Sequence, residues 1–281
     1  MRHASTTLAL VALLALASCA TQEDSSPIIP HQQRKKGESP TDAAGNYFNS
    51  ANQPPGTSAA GHGHPVLAPT GSAYEISRGL TETNSSKAPV LSMNQIVAAF
   101  SIARDTRFIT DPSRANFARR ASWLYPDDGC FARADVMGRE LQKLGFQRPS
   151  KVFAFGSLEM PTRNSPEGVV YWWYHVALAY RTDSGNLLSQ VQVIDPAGKT
   201  DAPLSLTEWA GQFSADLSGI TFSICAPDAY EPGDDCASPM HSSGKRATHD
   251  EHEFLNLEWE RQSELGRVPE QVLGDAPPWL R

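Results

Sequence analysis

A cysteine at the predicted start of a helix is the residue in this chain best placed to act as a nucleophile. Cys130 follows the turn-forming run Pro-Asp-Asp-Gly at 126–129, and apolar residues recur with helical spacing over 130–144. The positive end of a helix macrodipole favours thiolate over thiol, and the thiolate is the nucleophilic form. We therefore predict a nucleophilic thiol at the amino end of this helix.

A histidine and an aspartate lie on two strands predicted further along the chain. Residues 169–181 and 187–195 are rich in β-branched and aromatic side chains and flank a turn signal. A three-residue loop at 184–186 would place His175 directly opposite Asp195, with Cβ atoms about 4.5–5.5 Å apart. A carboxylate at that distance can hold an imidazole. A loop of two or four residues is expected to break the contact.

These three side chains form the pattern of a thiol enzyme that transfers acyl groups. Cys130 would attack a carbonyl, His175 would take the thiol proton, and Asp195 would fix the histidine tautomer. The backbone N–H of Cys130 would donate to the oxyanion and lower the activation barrier by about 3–4 kcal/mol. Each residue also has a plain structural interpretation, as an inert buried thiol, a core histidine and an aspartate that starts a turn. Their joint occurrence favours the enzyme.

The chain begins with a pattern typical of bacterial lipoprotein signals. A charged start and an apolar run over 8–16 precede Leu-Ala-Ser-Cys at 16–19, which resembles a lipobox. The apolar run is too short to span a bilayer, so we predict a cleaved signal over 1–18 and lipid, including palmitate, on Cys19. Ala20 resembles outer-membrane sorting, which predicts an exported protein anchored in the outer membrane. Ordinary secretion with a chance cysteine is the alternative.

Export would place the remaining cysteines in an oxidising compartment, where disulfides persist. Cys225 and Cys236 are eleven residues apart, with proline and glycine between them. Such a loop closes easily, so we predict a disulfide between them. Cys130 then stays a thiol. A disulfide from Cys130 to either of the other two is an alternative that spacing alone leaves open.

Composition and charge exclude several classes of function. The formal net charge is −7 and no basic stripe occurs, so nucleic acid is not an expected partner. The His-Asp-Glu-His-Glu run at 249–253 and the histidines at 62 and 64 lack the framing and spacing of a strong metal site. We therefore predict no metal and no cofactor.

The chain divides into four predicted parts. After the signal, residues 19–90 are rich in Pro, Gly, Ser and Thr and are predicted to be a disordered tether. A folded domain is predicted over 91–237, followed by a polar tail with one helix over 238–281. Within the domain, a helix followed by an antiparallel meander predicts an α+β fold, with the cysteine helix packed on an antiparallel sheet.

The sequence around the three candidate residues resembles the bacterial protein-glutaminases, which are protein-glutamine deamidases. The blocks DGCFARA at 128–134, WYHVA at 173–177 and IDP at 194–196 occur in that family's order, and the resemblance covers roughly 93–215. It implies a papain- and transglutaminase-like core. It also implies that the triad Cys130, His175 and Asp195 deamidates glutamine side chains within proteins.

The resemblance also predicts how substrate would bind and react. Tyr171, Trp172, Trp173 and Tyr174 are expected to wall a narrow apolar slot for the glutamine side chain, with Trp173 and Tyr174 as the candidate binding residues. The alternative is that half of these side chains lie in the core, since strand faces alternate. Protein substrates with exposed glutamine would be the partners, and water would resolve the thioester with release of ammonia. Three alternatives stay open, namely a transglutaminase, a cysteine protease and a binding lipoprotein that retains the triad without catalysis.

This sequence departs from the family's pattern at two points. The family has histidine where this chain has Asp135. Its members carry a pro-segment that blocks the site, whereas the upstream region here is predicted to be a polar tether.

Overall fold

The computed structural model describes residues 88–183, 185, 190–198, 201–213, 220–232, 236 and 244–280. The predicted signal, Cys19 and the predicted tether up to residue 87 lie outside these ranges. Among the helices within them, none has both the length and the apolar composition required to cross a bilayer.

The helices of the described residues are set by their caps and by the apolar stripe each one buries. The first begins with a capping box, in which Ser92 and Gln95 satisfy each other's backbone N–H groups. The second ends at Lys143, and Gly145, with a φ of 92°, follows its C-cap residue. In chain order the helices are α1 (Met93–Asp105), α2 (Cys130–Lys143), α3 (Leu206–Gly211), α4 (Gly244–Glu264) and α5 (Pro269–Leu273).

The strands form a two-stranded ribbon, β1 with β2, and a five-stranded antiparallel sheet with the order β6-β5-β4-β3-β7. This arrangement confirms the predicted α+β class and antiparallel sheet. In chain order the strands are β1 (Ile109–Asp111), β2 (Arg114–Arg119), β3 (Ser150–Pro161), β4 (Val169–Arg181), β5 (Val191–Ile194), β6 (Leu204–Ser205) and β7 (Thr221–Cys225).

The register between β4 and β5 differs from the prediction. Ile194 pairs with Leu178, so the two strands are shifted by two residues from the register that would place His175 opposite Asp195. The predicted register is therefore wrong, and most of the predicted loop at 184–186 lies outside the described residues. A shift by an even number of residues keeps every side chain on its face of the sheet, so the histidine and aspartate still meet on a diagonal.

The central strands lie between two layers of helix. One layer is α2, whose Met137 and Leu141 share an apolar cluster with Leu178 of β4 and Ile194 of β5. The other is α3, whose Leu206 and Trp209 pack with a second cluster, which includes Ala177, Ala179 and Val193. Cys130 therefore begins a helix packed against the sheet, as predicted.

The folded part extends beyond the predicted domain at both ends. Ala88 is 2% exposed, and its carbonyl accepts a hydrogen bond from Arg181 of β4, so the fold includes residues assigned to the tether. At the other end, α4 buries one face against the domain, whereas the sequence predicts a polar tail with one helix. Trp279, near the end of the chain, stacks on His252 and packs edge-on against Phe117.

Candidate active site

Cys130 is the first residue of α2, and a glycine in the left-handed region leads the chain into it. Gly129 is the N-cap residue, with φ 81°, and no side chain caps the helix. The backbone N–H of Gly129 donates to the carboxylate of Asp128 at 2.7 Å. The aspartate thus fixes the turn, and Cys130 occupies the helix start that the sequence predicts.

Burial is the largest influence on the pKa of this thiol. Cys130 is 2% exposed, and burial raises its pKa well above the ordinary value for a cysteine. The charge of Arg133 and a hydrogen bond from the backbone N–H of Val176 act in the opposite direction without reversing the shift. The raised pKa acts against the expectation that the helix start favours thiolate.

His175 and Asp195 form a buried hydrogen-bonded pair. The imidazole Nε2 lies 2.8 Å from Asp195 Oδ2, and the two side chains are 1% and 5% exposed. Burial acts to raise the pKa of Asp195. The charge of His175 and hydrogen bonds from His175 and Trp209 outweigh it and leave the pKa below its ordinary value. Asp195 is thus a stable anion that can orient the imidazole.

Two tryptophans complete the surroundings of this pair, and the sequence did not predict either role. Trp209 Nε1 donates to Asp195 Oδ2 at 2.9 Å. The ring of Trp172 stacks on the imidazole of His175, with centroids 4.5 Å apart and an interplanar angle of 7°. The capping box of Ser205 and Glu208, which places α3 just after Asp195, is the sequence signal that points to Trp209.

The three predicted residues line one cavity. Cys130, His175 and Asp195 all contribute to its wall, together with the buried guanidinium of Arg133. The cavity is too narrow to hold a water molecule. Because Asp195 engages Nε2, proton exchange between His175 and the thiol would have to use Nδ1. The arrangement can support nucleophilic chemistry once a substrate group gains entry.

Trp173 and Tyr174, the residues predicted to wall a substrate slot, are buried in this structure. They are 5% and 0% exposed and share an apolar cluster with Cys130. Their position beside the thiol fits a role in substrate contact, but they form no open slot in this conformation. That role stays a prediction.

The disulfide prediction is confirmed. Cys225 and Cys236 are bonded, with Cα atoms 4.4 Å apart. Cys130 lies outside any disulfide, so the alternative pairings are wrong. Within the described ranges, no group of three or more His, Cys, Asp or Glu side chains is arranged to bind a metal ion.

Asp135, where the sequence departs from the family's pattern, is a buried centre of ion pairs. Its carboxylate contacts Arg139 at 2.7 Å, Lys151 at 3.0 Å and Arg148 at 3.3 Å. Burial acts to raise the pKa of Asp135, but these cations hold it below the ordinary value. The position therefore ties α2 to β3 and lies outside the wall of the cavity.

Part of this chain is similar to a known protein family. Residues 96–213 match the model of a glutamine deamidase family described as glutaminase. No curated protein sequence matches the chain significantly. The matched segment runs from α1 to just beyond α3 and contains Cys130, His175, Asp195 and Trp209.

Solved structures of protein-glutaminase are similar at low identity. A crystal structure of protein-glutaminase is 20% identical, covers 68% of this chain and 93% of that chain, and gives a TM-score of 0.40. The NMR structure of protein-glutaminase from Chryseobacterium proteolyticum is 21% identical over 68% and 92% of the two chains, with a TM-score of 0.40.

A crystal structure of pro-protein-glutaminase is 24% identical over 54% of this chain and 52% of that chain, with a TM-score of 0.39. The chain thus spans about half the length of the pro-protein-glutaminase structures it matches. The match to the glutaminase family model covers residues 96–213, which is less than half of this chain.

Proposed function

We propose that this protein is a thiol hydrolase that deamidates protein-bound glutamine to glutamate and releases ammonia. The observation that carries the proposal is the hydrogen bond of 2.8 Å between His175 and Asp195, in the cavity that Cys130 also lines. All three residues fall inside the segment that matches the glutaminase family.

The reaction begins with proton transfer from the Cys130 thiol to His175. The sulfur attacks the carboxamide carbon and forms a tetrahedral oxyanion. The imidazolium then donates its proton to the leaving nitrogen, the C–N bond breaks, and ammonia departs from a thioester. Water, deprotonated by His175, attacks the thioester, and the C–S bond breaks to give glutamate and the thiol. Asp195 stabilises the imidazolium in both halves of the reaction.

Burial of the thiol makes the histidine necessary for this chemistry. Because the pKa of Cys130 is raised, thiolate forms only as the proton passes to an adjacent base. The same burial means that the wall of the cavity moves before a carboxamide reaches the sulfur. A dry cavity around a preformed histidine–carboxylate pair strengthens the electrostatic stabilisation of the oxyanion.

Ammonia release from a glutamine-containing protein tests this proposal. We expect the purified enzyme to release ammonia from an unfolded protein substrate faster than from free glutamine. Mass spectrometry would locate the new glutamates in the substrate. Crosslinked or cleaved substrate would instead support a transglutaminase or a protease. Absence of ammonia release, or release that is unchanged in Cys130→Ser, would contradict the proposal.

We also propose that the enzyme is a lipoprotein held at the outer membrane by acyl chains on Cys19. The proposal rests on the lipobox at 16–19 and the apolar run before it. Metabolic labelling with a palmitate analogue tests it, since we expect label in the wild type and none in Cys19→Ala. A labelled Cys19→Ala protein, or an unlabelled wild type found in the medium, would contradict it.

A further inference from the structure

A stripe of four residues on α4 contacts the segment that leads into the nucleophile. We call residues 121–129 the approach loop, because they end at Gly129, directly before Cys130. Three residues of the stripe are 0–1% exposed, and the side chain of the fourth is 11% exposed. Spacings of three, four and three residues place all four on one side of the helix. The stripe consists of Glu251, Phe254, Glu258 and Arg261.

Two carboxyl groups of the stripe accept hydrogen bonds from the backbone of the approach loop. Glu251 Oε1 accepts from the N–H of Ser122 at 2.7 Å, and Glu258 Oε1 accepts from the N–H of Leu124 at 2.8 Å. Buried backbone N–H groups need such acceptors, so α4 takes the place of solvent for this loop.

The third contact lies directly beside the nucleophile. The ring of Phe254 packs so closely on Gly129 that a Cβ atom there would come within 2.6 Å of it. The glycine therefore serves both the left-handed turn and this close approach.

Arg261 makes the fourth contact and begins a chain of interactions that ends at the imidazole. Its two terminal nitrogens bind both carboxylate oxygens of Asp127. The backbone carbonyl of Asp127 accepts a hydrogen bond from Trp172 Nε1 at 3.1 Å. Trp172 in turn stacks on His175. Each step from Arg261 to His175 is a direct contact between neighbouring groups.

The guanidinium of Arg261 is itself held rigidly. It stacks over the ring of Tyr125 at 5.0 Å, and it donates to the backbone carbonyl of Asn164, in the β3–β4 connection, at 2.9 Å. Bidentate pairing of arginine with a carboxylate is both strong and directional. The guanidinium is thus held by Tyr125, Asn164 and Asp127, and it in turn fixes the position of the Asp127 carboxylate.

We propose that Arg261 is a positioning residue for the proton transfer, which sets the imidazole of His175 through Asp127 and Trp172. This inference rests on the proposed function, since it assigns a purpose to the orientation of the base. Arg261 lies outside residues 96–213, the segment matched to the glutaminase family. Helix α4 therefore contributes to turnover without supplying a reacting group.

Substitution of Arg261, with a neighbouring change as control, tests the proposal. Arg261→Met should lower kcat about tenfold or more, because small displacements of a reacting group are costly, while KM changes little. Arg261→Lys keeps the positive charge but cannot form the bidentate pair, so it should give an intermediate loss of kcat. This variant also tests the proposal if Arg261→Met does not fold. Glu264→Gln removes the exposed partner of Arg261 at 2.8 Å and should leave kcat unchanged.

A second readout does not require turnover. The NMR signals of the His175 ring, assigned by their loss in His175→Asn, should shift or broaden in Arg261→Met and Arg261→Lys but not in Glu264→Gln. Unchanged ring signals, or a kcat loss that only matches the loss of folded protein, would overturn the proposal. An inactive wild type would refute the proposed function, and the ring signals would still decide the role of Arg261.

Discussion

Two stretches of this chain build the same site in different ways. Residues 96–213 supply the thiol, the imidazole and the carboxylate, and the last two are hydrogen-bonded to each other at 2.8 Å. Helix α4 supplies no reacting group, yet its buried stripe contacts the approach loop next to Cys130. The first stretch therefore supplies the reacting groups, and the second holds them in position. Loss of a reacting group from the first stretch should nearly abolish turnover, whereas changes in the second should alter stability or geometry.

We expect the largest loss of activity from Asp195→Asn, which removes a charge from the stretch that carries the reacting groups. The amide keeps the shape of the side chain but cannot stabilise an imidazolium, so kcat should fall about 10³-fold. Steady-state ammonia release gives kcat, and thermal unfolding shows that the variant is folded. A folded variant with near wild-type kcat would remove Asp195 from the mechanism.

Loss of the disulfide should lower the free energy of unfolding and leave kcat unchanged. Cys225 and Cys236 close a loop between β7 and the segment before α4. Opening a loop of this length is expected to lower the free energy of unfolding by about 3 kcal/mol. Urea titration of the double alanine variant measures the loss, and its kcat below the unfolding transition should equal that of the wild type. A fall in kcat in the fully folded variant would break the proposed separation.

The pH dependence of stability should reveal the buried carboxyl of Glu251. Burial raises its pKa to about 7 from an ordinary 4.5, against the opposing charge of Arg133 and with a smaller contribution from Glu258 in the same direction. The folded chain keeps this proton up to about pH 7, whereas the unfolded chain loses it near 4.5. The stabilisation is therefore complete below pH 4.5 and is lost as the pH rises through 7.

Glu251→Gln should remove this pH dependence, because the amide does not titrate but still offers an oxygen to Ser122. The difference in unfolding free energy between variant and wild type should grow by at most about 3 kcal/mol from pH 4.5 to 8. Urea titrations at several pH values measure it. Parallel curves for the two proteins would mean that Glu251 is ionised throughout.

The smallest effect is expected from Trp209→Phe. Phenylalanine keeps the ring beside His175 but removes the donor to Asp195 Oδ2, a loss of about 1–1.5 kcal/mol, or roughly tenfold in kcat. Trp209→Phe should also raise the pKa of Asp195, because one of the hydrogen bonds that lower it is gone. The acid limb of the kcat profile would test this shift, and an unaltered profile would argue against the orienting role.

The elements that carry the reacting groups were predictable because local patterns determine them. The turn before Cys130, the helical stripe of α2 and the alternation in β4 each depend on near neighbours in sequence. The register between β4 and β5 was not predictable in the same way, since it depends on the connection between the strands.

The role of α4 was not accessible from the sequence because its key contacts are long-range. Glu251 and Glu258 look like residues of a solvated helix face, yet both are fully buried. Their partners are backbone groups of a loop more than a hundred residues earlier in the chain. Burial of the thiol has the same origin, because the elements that cover Cys130 come from distant parts of the chain. This is why helix position alone did not predict the raised pKa of the thiol.

Capture of the covalent intermediate is the most direct test of the central claim, which is that Cys130 attacks a glutamine carboxamide with His175 and Asp195 as its base system. Wild-type enzyme mixed with a glutamine peptide and quenched in acid should carry the peptide, minus ammonia, on Cys130. Digestion and mass spectrometry locate the adduct, and Cys130→Ser should lack the thioester. Ammonia release from the wild type with no acyl group on Cys130, and equal release from the serine variant, would contradict the account.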